Sequence, residues 1–197
     1  MATKELLYYI PAGQYGKEGV LSLLEQHPEI KFVSLVGIDL AGNDTDEKIP
    51  MAAFFDDYEA FFEGRAVQTD GSSVVLTNIA TLNNARVDMW GDPSVNWFVD
   101  YNYENIDEAT GLPTGTLRIP AFLMHNYRYV DSRSILKRSC DYVRAELLSL
   151  IKEKGVPGMP HVKADDVLDI VFTSATELEF WVKTPSKTVT KKELSVS

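Results

Sequence analysis

The chain has 197 residues, 45% hydrophobic and 24% charged, with nine Tyr and nine Phe spread along its length, the profile of a folded globular protein of one domain, or one domain plus part of a second. Its formal net charge of −10 and lack of Lys/Arg clusters argue against nucleic acid or an anionic membrane as principal partner. No apolar run reaches the roughly 18 residues of a membrane span, the opening "MATKELLYYIPAG" lacks the pattern of a secretory signal, and the single cysteine, Cys140, cannot form an intrachain disulfide, so a cytoplasmic protein is expected, with Cys140 a buried packing residue on a helix.

After an opening rich in Gly and Tyr, "KEGVLSLLEQHP" carries Val20, Leu23, Leu24 and His27 at spacings of three and four. This predicts a short amphipathic helix stopped by Pro28, with His27 at its end. "IKFVSLVGIDL" is β-rich, and Gly42, Asn43 and Asp44 supply turn chemistry, so a hairpin returning through Lys48 and Ile49 is expected. "IPMAAFFDDYEAFFEGRAV" sets Met51, Phe54, Phe55, Tyr58, Phe61 and Phe62 on one helical stripe that should pack on the sheet, with Gly64 where a helix end favours a left-handed residue.

"TDGSSV" reads as a tight polar loop in which Gly71 tolerates a positive φ and Asp70 bonds nearby backbone N–H groups; on the residues alone it is a structural turn. Strands are expected at "ARVDMW", "VNWFVDYN" and "GTLRIPAFLMHNYRYV", separated by the turn-rich "GDPS" and "NIDEATGLPTG". His125, in the last of these, has no second His or Cys nearby and reads as a packed or hydrogen-bonded histidine. "DSRSILKRSCDYVRAELLSLIKEKG" is the clearest helix. Asp131 stands at its N-cap, Leu136, Cys140, Val143, Leu147 and Ile151 recur on one face, and Lys152 and Lys154 precede Gly155.

The stretch "TSATELEFWV" then places Glu177 and Glu179 in an apolar, strand-like run. In an extended strand they would share a face with Cα atoms about 6.5 to 7 Å apart. Two readings stay open on the pattern alone: a half-buried edge strand with a solvated acidic face, or two oxygen ligands of a metal site. The polar, basic tail "KTPSKTVTKKELSVS" shows no apolar period, and the chain reads as one that has been cut.

Taken in order, "IPMAAFFDDYEAFFEGRAVQTDGSSV", "DSRSILKRSCDYV" and "FTSATELEFWVKTP" resemble the N-terminal portion of the glutamine synthetase family, from about Lys31 to Pro185. The resemblance implies an α+β chain: an N-terminal extension with a short helix over 1–30, a β-grasp domain over 31–125, and over 126–197 the first helix and strand of a truncated catalytic domain. It further implies a glutamate–ammonia ligase that uses ATP, through a γ-glutamyl phosphate, at two divalent ions, Mg or Mn. In that family the E-x-E glutamates ligate the metal pair, which assigns the metal role to Glu177 and Glu179; hard cations prefer carboxylate oxygens. Subunits form homo-oligomeric rings in which the D-G-S-S loop enters the neighbouring active site and its Asp binds ammonium and withdraws its proton. The matching position is Asp70, with Ser73 nearby.

Two departures from the family pattern stand out. A Gly-Trp pair commonly follows D-G-S-S in bacterial members, whereas this chain reads "DGSSVVLTN", which puts that Trp contact in doubt. The family's remaining metal ligands, glutamate and ATP sites, phosphate-binding arginines and flap all fall after Ser197. The chain by itself is therefore expected to be inactive. A γ-glutamyl ligase acting on an amine would share every block, and a non-catalytic β-grasp assembly module is the alternative from a different class.

Overall fold

The computed structural model describes residues 5–71, 73–76, 86–175, 177, 179 and 180. It divides into two compact units, Met1–Val143 and Arg144–Ser197. The first holds a mixed sheet with helices. In chain order its elements are β1 (Tyr9–Ile10), α1 (Lys17–Glu25), β2 (Ile30–Ile38), β3 (Asp44–Pro50), α2 (Met51–Asp56), β4 (Val67–Asp70), β5 (Arg86–Gly91), β6 (Trp97–Ile106), β7 (Pro113–His125), β8 (Arg128–Tyr129) and the beginning of α3 (Ser132–Lys154).

The organising strand is β7. Its first half pairs antiparallel with β6 and parallel with β2, and its second half pairs antiparallel with β5 and β8. The change of partners falls at Pro120 and Ala121: Val36 lies opposite Pro120 on one side and Gly91 opposite Ala121. Proline has no N–H to offer a ladder, so it suits this junction, and its carbonyl accepts from Asp92 N–H at 2.8 Å. The sheet runs β1-β6-β7-β2-β3, with β4 attached through β5.

Alternation along the strands decides which face is buried. Leu117, Ile119, Ala121 and Leu123 of β7, Val33 and Leu35 of β2, and Val87 and Met89 of β5 are all fully buried. Each large side chain among them contributes about 1.5 to 3 kcal/mol of transfer free energy. Trp97, Val99 and Tyr101 extend the same face on β6, and Val20 and Leu24 bring α1 onto the core.

The expected β2–β3 hairpin forms, closed by Asp39 N–H to Asn43 O (2.9 Å) and by Gly42 at φ +86°. The aromatic stripe after it does pack on the sheet, but as two short pieces. The helix α2 stops at Asp57, whose φ of −140° leaves the helical region, and a 3₁₀ turn follows at Glu59–Phe61. The Asp57 carboxylate accepts from Ala60 N–H (3.2 Å), a side-chain bond that competes with continuation of the helix. Phe54 still meets Phe61 at 5.0 Å, and Phe62 stacks on Trp97 at 5.3 Å. Gly64 has φ +68°; a Cβ there would stand 1.9 Å from Trp90 Nε1, so the backbone needs glycine for both conformation and space.

Asp131 caps α3 as the sequence suggests. Its Oδ1 accepts from Ser134 N–H (2.8 Å), and its Oδ2 accepts from the Ser134 hydroxyl (2.8 Å) and from Leu123 N–H of β7 (3.2 Å). One buried carboxylate thus starts the helix and ties it to the sheet. The apolar stripe expected along α3 is not buried: Leu136, Val143 and Leu147 are exposed, and Cys140 and Ile151 are partly exposed. Cys140 is therefore a partly buried thiol rather than a fully buried one.

In the second unit, Arg144 of α3 grips Asp169 through Nε (2.5 Å) and Nη2 (2.6 Å). The described residues from Val167 to Phe180 form no helix or strand. Of the E-x-E strand expected from the sequence, Glu177 and Glu179 are exposed and outside any strand, while Thr176, Leu178 and the residues from Trp181 onward lie outside the described residues. A strand needs a neighbour to take its N–H and C=O groups, and none is paired with this stretch among the described residues.

Candidate functional site

The stretch with the clearest construction for presenting side chains is the turn after β4. Strand β4 pairs antiparallel with β5 in full register, from Val67 opposite Met89 to Asp70 opposite Arg86. Asp70 is therefore the last ladder residue before the chain turns. Ser73 N–H donates to both the Asp70 carbonyl (3.1 Å) and Asp70 Oδ1 (3.2 Å), the Asx-type closure expected of this residue class. Asp70 and Ser73 are exposed, while Gly71 between them is buried.

The chain leaves the turn under equally firm control. Val74 and Leu76 are buried at 2% and 3% exposure, so alternate residues of the exit segment plug into the core. Between them, Val75 makes both of its backbone bonds to the β2–β3 turn: its N–H donates to Asp39 Oδ2 (2.9 Å), and its carbonyl accepts from Leu40 N–H (3.1 Å). Asp39 is 1% exposed and also accepts from Ala41 N–H (2.9 Å), Asn43 N–H (2.9 Å) and the Asn43 side-chain amide (3.0 Å). Burial alone would raise its pKa. The donors from Val75, Asn43 and Ala41 outweigh that and hold it below the ordinary carboxylate value.

On the far side of β5, His125 Nδ1 lies 2.9 Å from the carbonyl of Arg86, the ladder partner of Asp70. A carbonyl only accepts, so Nδ1 carries the proton and Nε2 accepts from the Asn126 amide at 2.9 Å. The histidine is the hydrogen-bonded residue the sequence suggested, bracing the strand that faces Asp70. Asp39 has no such forecast in the sequence, where it precedes the hairpin turn residues. A signal was available in its type and place, since an Asp just before a Gly-Asn turn commonly accepts from the turn's own N–H groups.

Of the residues expected to act together, Asp70 and Ser73 are joined in one turn of the first unit. Glu177 and Glu179 belong to the second unit, where both are exposed. Among the described residues there is no group of three or more His, Cys, Asp or Glu that could hold a metal ion. Two carboxylates alone supply fewer oxygens than a pair of hard divalent ions takes, about six for each ion, so Glu177 and Glu179 would hold such a pair only together with further ligands. No helix among the described residues is long and apolar enough to cross a membrane.

No family model matches the chain, and no curated protein matches it. Among solved structures it is similar to a GmaS/ADP complex, at 16% identity with a TM-score of 0.36, over 56% of this chain and 21% of that one. It is also similar to the Plasmodium falciparum glutamine synthetase seen by cryo-electron microscopy, at 13% identity with a TM-score of 0.46, over 70% of this chain and 24% of that one. The chain thus spans less than a quarter of the length of either structure.

Proposed function

We propose that the chain is the N-terminal part of a glutamine synthetase-type ligase, which joins ammonia to glutamate with ATP through a γ-glutamyl phosphate. Residues 31–125 are its β-grasp domain, and 126–197 begin its catalytic domain. The observation that carries the reading is the Asp70–Ser73 turn. It sits at the position the three motif blocks assign to the ammonium-binding loop, and it is pinned at entry by the β4–β5 ladder and at exit by Val74, Val75 and Leu76. Both side chains are nevertheless exposed.

A carboxylate so presented suits the assigned task. It attracts an ammonium ion by charge-assisted hydrogen bonding and accepts a proton as the amine attacks. The bond from Ser73 N–H fixes the direction in which Asp70 Oδ1 faces. In the proposed ring the turn enters the active site of the adjacent subunit, where that subunit's copies of Glu177 and Glu179 join further ligands to hold two Mg or Mn ions. The complete enzyme works in the cytoplasm.

The test is an assay of the uninterrupted product of the gene. Phosphate release from ATP should require both glutamate and ammonium, and the isolated 197-residue chain, freed of host enzyme, should release none. Release supported by small amines and not by ammonium would reassign the nucleophile. Absence of any glutamate-dependent release would remove the ligase reading.

A further inference from the structure

We propose that Asp39 is a positioning residue for the Asp70–Ser73 turn, holding it in its presenting geometry from outside through the Val75 backbone. The inference rests on the ligase reading for what the turn does, but not for how it is held.

The geometry separates two jobs within one carboxylate. Oδ1 serves its own hairpin, accepting from Ala41 N–H and Asn43 N–H. Oδ2 reaches 36 residues along the sequence to Val75 N–H, sharing its remaining capacity with the Asn43 amide. The reciprocal bond from Leu40 N–H to the Val75 carbonyl makes a two-bond clasp between the β2–β3 turn and the exit of the candidate catalytic turn. Val75 is itself 41% exposed, so its side chain is not what secures this point. Only one residue of chain separates the clasp from Ser73, whose N–H orients the Asp70 carboxylate. A shift at Val75 is therefore transmitted within two peptide units to the group that would meet ammonium.

This separation makes the residue testable by a near-isosteric change. In Asp39→Asn the amide oxygen can keep the Oδ1 contacts with Ala41 N–H and Asn43 N–H, leaving the hairpin backbone closed, while the new NH2 faces Val75 N–H as donor against donor and gives up the contact with the Asn43 side-chain amide. Hydrogen exchange of the 197-residue chain should then quicken at least tenfold at Ser73 and Val75 and stay unchanged at Met89 and Leu117 in the sheet. In the uninterrupted gene product, Asp39→Asn should lower kcat at least tenfold with KM for ATP and glutamate within twofold, and Asp39→Glu should recover part of the loss. In an Asp70→Ala background, Asp39→Asn should cost nothing further. Unchanged exchange at Ser73 and Val75 would overturn the proposal, as would equal loosening across the sheet or a full multiplicative loss in the double variant. If Asp70→Ala itself leaves turnover intact, the ligase role of the turn falls, and the exchange pattern still decides whether Asp39 anchors it.

Discussion

Replacing Asp131 by Ala should be among the most damaging single changes in the first unit, and the cost can be built from its three contacts. Loss of the cap to Ser134 N–H (2.8 Å) costs about 1 kcal/mol. Leu123 N–H, which donated to Asp131 Oδ2 at 3.2 Å, is stranded in the interior, at about 1 to 3 kcal/mol. The Ser134 hydroxyl can rotate toward another acceptor and adds less. The sum is about 3 kcal/mol, which for a unit of this size lowers Tm by about 6 to 12 °C. Asp131→Asn keeps one acceptor oxygen and sets an amide against the remaining donors, so it should fall between, at about 1 to 2 kcal/mol. Equilibrium urea unfolding, followed by tryptophan fluorescence and far-ultraviolet dichroism on wild type and both variants, measures the series. A loss below about 1 kcal/mol for Asp131→Ala, or equal losses for Ala and Asn, would refute the view that one carboxylate both starts α3 and fastens it to β7.

Gly64→Ala should destabilise by about 2 to 5 kcal/mol, combining left-handed strain with overpacking against Trp90. Gly111→Ala has the same sign of φ, but nothing stands within 4 Å of its Cβ, so it should cost only about 1 to 2 kcal/mol in the same urea assay. Stability should be flat near neutral pH and fall in acid. For Asp92, burial opposes the charge, but the Ser94 hydroxyl and N–H and the Arg133 guanidinium outweigh it, and its pKa, like that of Asp39, lies below the ordinary value of 3.8. The stabilisation is therefore complete above that value and is lost as pH drops through the lower folded pKa, by up to about 1.4 kcal/mol per pH unit for each group. Asp92→Asn should flatten the acid limb of a urea-midpoint series, and an unchanged limb would contradict the assignment. Millimolar Mg or Mn should stabilise the 197-residue chain by less than about 0.4 kcal/mol, the value reached when concentration equals Kd. A larger thermal shift that survives Glu177→Gln with Glu179→Gln would mean that other residues bind the ion.

What could be read from the sequence was what depends on near neighbours. Helix α1, the β2–β3 hairpin, the strands after residue 86 and the Asp131 cap all follow from periodicity and from turn or cap residues within a few positions of each other. The parallel β2–β7 pairing was not legible, because its partners, such as Leu35 and Ile119, lie far apart in sequence and no local pattern encodes the crossover. The stripe from Met51 to Phe62 identified the right core residues, but its helix breaks where the Asp57 side chain accepts from Ala60 N–H. The same limit applies to the site. Asp70 and Ser73 could be found because their motif is contiguous, whereas Asp39 acts on Val75 across 36 residues. The strand expected around Glu177 and Glu179 rests on alternation and on the E-x-E motif, neither of which names a partner for the backbone, and part of it lies outside the described residues.

The most direct test of the reading is subunit mixing in the assembled product of the complete gene. Asp70→Ala subunits and Glu177→Ala subunits should each be inactive or nearly so when assembled alone. If Asp70 serves the neighbour's site while Glu177 serves its own, a mixed ring contains interfaces where an intact turn meets an intact carboxylate pair, and ammonium-dependent glutamine formation should return there in proportion to their number. Rings verified as mixed by native mass spectrometry, yet showing no recovered activity, would contradict a turn that works across the subunit boundary.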